Sequence, residues 1–306
     1  MSNEKKNTLD AMLAQYESAT AQGKEKTFDL KNYFTTYLPD GIDTAIKRVR
    51  ILPVSEGTPF VPVYVHNETV DGKNRKFTCI QHENDEACPF CEAREELLAT
   101  ETDADKELAK KYRPRLMYIV KVIDRENEAD GPKFWRFPSN FKKEGILDKI
   151  MANVRMLQED ITDIETGRDL ALNIERVKNP RGGTYPSVTT VMAPKNGPLS
   201  ENAEQVTAWT ADEKVWTDVY STKPYDYLAL IVKGEIPAWS KAKERYVAKS
   251  ELEDGETGNV SDDLEAELKI GGANQPESIK EKDLVVEATH TAEAEVSGEK
   301  SDDLPF

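Results

Sequence analysis

A mainly β fold with added helices is what the sequence predicts, and three observations predict it. Short runs rich in β-branched and aromatic residues recur between residues 47 and 192. Turn signals separate them, and only one sustained 3.6-residue apolar period interrupts them.

Residues 1–20 open with Lys5 and Lys6, and Leu9, Met12, Leu13 and Tyr16 follow at helical spacing with Thr8 as the cap. So short an amphipathic helix needs a partner surface. KRVRILP (47–53) and PFVPVYVH (59–66) read as strands around the turn-like SEGT, and RLMYIVKVID (115–124) as a longer strand, apolar on both faces at its centre. Asp130, Gly131 and Pro132 turn the chain into KFWRF (133–137). Leu147, Ile150, Met151, Val154 and Leu157 then mark a helix. ETGRDLALNIERV (165–177) reads as turn then strand, NPRGGT (179–184) as a hairpin tip, and YPSVTTVM (185–192) as its return strand. Five or six short strands with one helix suit a small Greek-key barrel of the OB-fold kind, spanning residues 21–200.

Residues 201–250 change character. Val215, Trp216, Val219 and Tyr220, then Tyr225, Leu228, Ala229 and Val232, then Trp239, Ala242 and Tyr246, all have helical spacing. They predict a helical appendage packed on the barrel. Residues 251–306 carry 17 acidic and 4 basic residues, so this segment holds −13 of the net −16. With no apolar period, it cannot bury enough surface to offset chain entropy and is expected to be disordered. Its last residues differ in kind: two acids, Asp302 and Asp303, then Leu304, Pro305 and Phe306. The body is nearly neutral, leaving room for local basic patches, which decide phosphate binding more than total charge does.

No run approaches the ~20 apolar residues of a membrane span, and the first residues lack the apolar stretch of a secretory signal. A cytoplasmic protein with no membrane partner is expected. All 3 cysteines fall between positions 79 and 91, which argues against a disulfide framework and for a metal.

Cys88 and Cys91 form a C-x-x-C knuckle, with Cys79 across a polar loop and His66 at the end of a strand. Three thiolates and an imidazole close a four-coordinate shell, as in structural rather than catalytic Zn2+ sites, so one structural ion is expected and no catalytic residue. It would clamp an insertion, about residues 66–112, too polar to build its own core. His82 is the rival fourth ligand. His66 is preferred because it ties the insertion back to the barrel, whereas His82 leaves two tight pairs joined by a short link. Zinc deaminases place H-x-E well before P-C-x-x-C. Here Ala87 precedes Cys88 and Glu83 follows His82 directly, so that enzymatic reading fails.

Binding single strands without sequence preference needs cations along the backbone path and rings for the bases. Cations recur as Lys47, Arg48 and Arg50; Lys73, Arg75 and Lys76; Lys110, Lys111, Arg113 and Arg115; Lys133 and Arg136; and Arg181. Tyr112, Trp135, Phe137 and Tyr185 interleave with them. Each residue has a bland alternative: rings in strands are more often core, and cationic runs are more often solvated faces. A zinc-stabilised adaptor that binds only proteins shares the same metal and tail and differs in the cleft alone.

The order RILP (50–53), VHNE (65–68), Cys79, ACPFCE (87–92), KKYRPR (110–115), VID (122–124), WRF (135–137) and LDKI (147–150) resembles the T-even-type bacteriophage helix-destabilising, single-stranded DNA-binding proteins. The likeness is good over residues 44–157 and weaker over 165–192. It implies an OB-fold core with an inserted zinc subdomain ligated by His66, Cys79, Cys88 and Cys91, and a DNA cleft that includes Lys110, Lys111 and Arg113. It implies replication, recombination and repair as the setting, in the cytoplasm of a bacterial host if phage-encoded. Lys5, Lys6, Asn7 and Thr8 resemble a weakened form of the family's basic motif for protomer contact along DNA. The family's acidic partner domain is replaced by an ending similar to the bacterial single-strand-binding tip, which implies docking of replication and repair proteins. Aromatic pairs of the family near the long strand are absent, Arg115 and Leu116 standing there.

Overall fold

The computed structural model describes residues 30–140, 144–179 and 182–252, all within the compact unit Met1–Pro276. The expected N-terminal helix with Lys5, Lys6 and Thr8, the hairpin residue Arg181, and the acidic tail with its tip lie outside the described residues.

Eight strands form one mixed sheet. They are β1 (Tyr33–Phe34), β2 (Thr44–Ile51), β3 (Val61–Val70), β4 (Lys73–Thr78), β5 (Arg115–Asp124), β6 (Pro132–Pro138), β7 (Leu170–Lys178) and β8 (Thr184–Met192). The order is β1-β6-β5-β2-β7-β8, with β3 also on β5 and β4 on β3. Only β1–β6 is parallel. Among the described residues, no pairing joins β8 back to β1, β3 or β4. The sheet nevertheless curls: Phe34 at one end and Val188 at the other share a core with Val49, Val120, Val122, Trp135, Phe137 and Leu172.

The expected helix is α4 (Ile146–Leu157), preceded in the chain by three helices of the metal region. Its Ile150 is fully buried, while Ile146, Leu147, Val154 and Leu157 pack on the same core. Asp148 begins it cleanly, accepting the Gly145 amide at 3.0 Å.

β5 is covered on both faces, as its composition predicts. Val120 and Val122 enter the main core, whereas Met117 and Ile119 join Val63, Val65, Phe134 and Tyr220 on the other side. That second side is closed by residues much later in the chain. Tyr33 Oη donates to the Val219 carbonyl at 2.6 Å, and Trp209 packs on Leu52, Ile123 and Leu199.

Between β4 and β5 lie α1 (Ile80–Asn84), α2 (Pro89–Ala99) and α3 (Asp103–Lys111). The polar insertion thus contains helices α2 and α3, which apolar periodicity does not reveal. Their starts are nonetheless written in the chain, as Pro89 at the first turn and Thr102 accepting the Asp105 amide at 3.2 Å. β4 is a further strand beyond those predicted. Asp71 (φ 52°) and Gly72 (φ 71°) form the two-residue turn that makes β3 and β4 a hairpin.

After β8 come α5 (Ala203–Thr210), α6 (Trp216–Val219) and α7 (Tyr225–Val232). The third expected helix is corrected: Pro237–Ser240 and Arg245–Ala248 are strands β9 and β10 of a separate hairpin. Trp239 and Tyr246 are cross-strand partners. A seven-residue separation fits both two helical turns and a hairpin, and Pro237 favours the latter. The appendage also divides. α5 and α6 lie against the sheet, but Tyr227, Leu228 and Ile231 of α7 pack with Phe77, Ile80 and Phe90 of the metal region.

Candidate metal centre and nucleic-acid interface

His66 points from β3 into a wholly buried site, where one ligand atom from each of His66, Cys79, Cys88 and Cys91 lies within 4.8 Å of the others. Cys79 precedes α1 and Cys88 precedes α2, with Cys91 one turn further on. Thiolates at helix starts meet unpaired amides and the positive end of the dipole. His66 Nε2 is 3.5 Å from Cys88 Sγ and 3.7 Å from Cys91 Sγ, and Cys79 Sγ is 3.6 Å from Cys91 Sγ. A tetrahedral ion with bonds of about 2.3 Å has edges of about 3.8 Å, so these separations fit one bound cation.

The protons tell the same story. Burial opposes a charged His66, but the sulfurs of Cys79 and Cys88 outweigh it and hold its pKa up to about 9. Contact with Cys79 pushes the Cys88 thiol far down and the Cys91 thiol far up. Three sulfurs this close cannot all ionise together unless a cation sits among them.

His82 is placed differently. It is exposed on α1, with Nδ1 3.2 Å from Cys79 Sγ and its ring 4.3 Å from that of Tyr64. It touches one ligand rather than completing the set. The ring pair was not anticipated, although Tyr64 lies on the same strand face as His66.

On the side away from the sulfurs, His66 Nδ1 is 2.9 Å from the Tyr112 carbonyl oxygen, as in metal sites whose second nitrogen fixes the ring. This contact holds the segment 110–115, whose Lys110, Lys111, Arg113 and Arg115 are exposed. Lys111 Nζ lies 2.8 Å from the buried Glu68 and 5.5 Å from the Tyr112 ring, and Lys110 pairs with Glu107. Tyr112 itself is half-buried.

The remaining expected contacts fall into three groups. Arg48 and Lys73 are exposed, while Lys47, Lys76, Arg136 and Tyr185 are half-buried. By register, Lys76 (opposite Asn67), Arg115 (opposite Val65) and Arg136 (opposite Ile119) share one sheet face, whereas Lys73 and Arg75 lie on the other, with His66. Arg136 stacks 4.3 Å over the Tyr220 ring, and Lys47 Nζ donates to the Thr35 carbonyl at 2.8 Å.

Five expectations are corrected by burial. Trp135 (2% exposed) and Phe137 (0%) are core rings with no face to offer a base. Arg50 (1%) donates to Asp169 and to the carbonyls of Asp163 and Gly197. Lys133 is locked between Asp124 and Asp130 at 3.1 and 2.9 Å. Arg75 is buried opposite Glu68. A charge already desolvated and bonded inside the protein is not available to phosphate.

A curled, mostly antiparallel sheet, with a buried set of one histidine and three cysteines able to hold a metal ion and a cationic margin beside it, has the features of a nucleic-acid-binding domain. The family model described as gp32 DNA binding protein like matches residues 44–221. The chain belongs to this family, one of single-stranded DNA-binding, non-enzymatic proteins. No curated protein matches the chain. None of the described helices is long and apolar enough to cross a membrane.

Proposed function

We propose that this protein coats single-stranded DNA without sequence preference during replication, recombination and repair. The observation that carries the reading is the 2.9 Å contact between His66 and Tyr112, which fixes an exposed cationic segment to a buried metal set. The four ligands have the chemistry of a structural Zn2+ site, and that ion would hold the insertion on the sheet. The curled sheet around one core supports an OB-fold-like barrel, with residues 21–200 as the DNA-binding core.

Lys110, Lys111, Arg113 and Arg115 bind phosphates in this reading, and Lys76 and Arg136 extend the path on the neighbouring sheet face. Half-buried Tyr112 and Tyr185, together with the Tyr64–His82 pair, supply rings. The acidic segment 251–306 competes with DNA by offering like charge at high effective concentration. Its tip, Asp302, Asp303, Leu304, Pro305 and Phe306, docks replication and repair proteins. Lys5, Lys6 and Thr8 serve contacts between protomers along the strand, and the compartment is the cytoplasm.

A gel shift with oligo-dT tests this, on the zinc-loaded chain with and without residues 253–306. Both should bind, more weakly as salt rises, and the shortened chain more tightly at low salt. Absence of any shift from both would leave the protein-only adaptor as the better reading.

A further inference from the structure

We infer that the β9–β10 hairpin is a second contact for single-stranded DNA, with Trp239 as the stacking face and Lys241, Lys243 and Arg245 as its phosphate-binding groups. It rests on the single-strand-binding reading above and extends it beyond residues 44–221, where the family match lies.

Trp239 is 41% exposed, whereas Trp135 and Trp209 are buried and Trp216 is half-buried. An indole left in water on a well-packed hairpin offers a flat apolar face to a planar partner. The ring is also held in place. It meets Tyr246 edge-on at 5.1 Å, and Tyr246 meets the fully buried Tyr227 edge-on at 5.1 Å. A ring fixed before binding loses little freedom on stacking.

Charge points to the same partner. Residues 233–249 hold five cations and two acids, in a chain whose net charge is −16. Lys241, Lys243 and Arg245 are exposed around the turn, and among the described residues none of them is held by an acid. The turn is shaped locally, the Lys243 amide donating to Ser240 Oγ at 3.2 Å. A fixed ring bordered by exposed cations is the arrangement that binds unpaired strands: bases stack on the ring while cations follow the backbone.

The hairpin is also mechanically joined to the metal centre. From His66 the rings of Phe90, Phe77, Tyr227, Tyr246 and Trp239 follow one another at 4.7, 5.9, 6.3, 5.1 and 5.1 Å. The second contact thus sits on the insertion that bears the first.

The test compares the full-length, zinc-loaded protein with its Trp239→Ala, Trp239→Phe and Lys241→Gln/Lys243→Gln/Arg245→Gln variants, on oligo-dT of about 8 and about 30 nucleotides. Trp239→Ala should weaken binding to the long strand roughly fivefold or more and leave the short one unchanged. The triple variant should flatten the slope of log affinity against log salt by about 2. Trp239→Phe, which keeps the packing on Tyr246, should lose most of the DNA-induced quenching of tryptophan fluorescence. Long-strand binding by all variants equal to wild type would overturn the proposal while leaving the main site standing. Tighter binding by the triple variant would overturn it in favour of the chain's own acidic segment as occupant. Wild-type protein that ignores both lengths would remove the underlying reading and the hairpin's role with it.

Discussion

His66 is bonded in two directions: its Nε2 faces the sulfurs of Cys88 and Cys91, and its Nδ1 donates to the carbonyl oxygen of Tyr112 at 2.9 Å. That carbonyl can only accept, so Nδ1 carries the proton and Nε2 is the nitrogen that would offer its lone pair to a bound ion. Through that contact, an ion held by His66 would also help to fix the segment that carries Arg113 and Arg115.

Metal content should separate the two histidines. His66→Ala should lose the ion, with a fall in melting temperature of roughly 10 °C or more. His82→Ala should keep one ion per chain by elemental analysis. Retention of a full ion by His66→Ala would show that the ligand set is wrong.

Arg50→Met should act on stability alone. It leaves Asp169 to Arg125 alone and deprives the carbonyls of Asp163 and Gly197 of their donor, at a cost of about 1 to 3 kcal/mol. A lower urea midpoint with unchanged DNA affinity of the folded protein is expected. A large affinity loss without unfolding would return Arg50 to the interface.

Charge reversal at Arg113 should do the opposite. Its side chain is exposed on the segment that Tyr112 ties to His66, so Arg113→Glu should leave the urea midpoint in place. Affinity for oligo-dT should drop, and the salt slope should decrease by about 0.7 for the lost phosphate contact. Titrations across a salt series read both.

Acid should weaken the fold partly through Asp124. Burial opposes its carboxylate, yet bonds from Asn127, Lys133 and the Glu126 amide outweigh that and hold its pKa below the ordinary 3.8. A folded-state pKa lower than the unfolded one stabilises above about pH 4, and this share is lost as pH falls through the folded value. The stability gap between wild type and Asp124→Asn should thus be full at pH 6 and close below about pH 4. Urea melts at matched pH measure it; a gap that widens in acid would contradict the assignment.

The metal set was legible because its spacing is local: a knuckle, a loop and one strand carry all four ligands. Deciding between His66 and His82 needed the fold, since burial and the 3.5 Å approach to Cys88 are tertiary facts. The strands from 115 to 137 could be read from composition. Whether Trp135 and Phe137 faced water could not, because α4 and the strands that enclose their core come from both sides of them in the chain. Arg50 and Lys133 failed for a related reason. A cation in a strand looks the same whether its counter-charge is a phosphate or, like Asp169, an acid 119 residues away.

The contact of α7 with Phe77 and Phe90 carries a practical corollary about where this molecule can be divided. Shortening it to the last family-matched position, Ser221, would strip the aromatic flank of the insertion and leave it wet and adhesive. The smallest fragment that stays soluble and keeps its metal should therefore run on through Ala248.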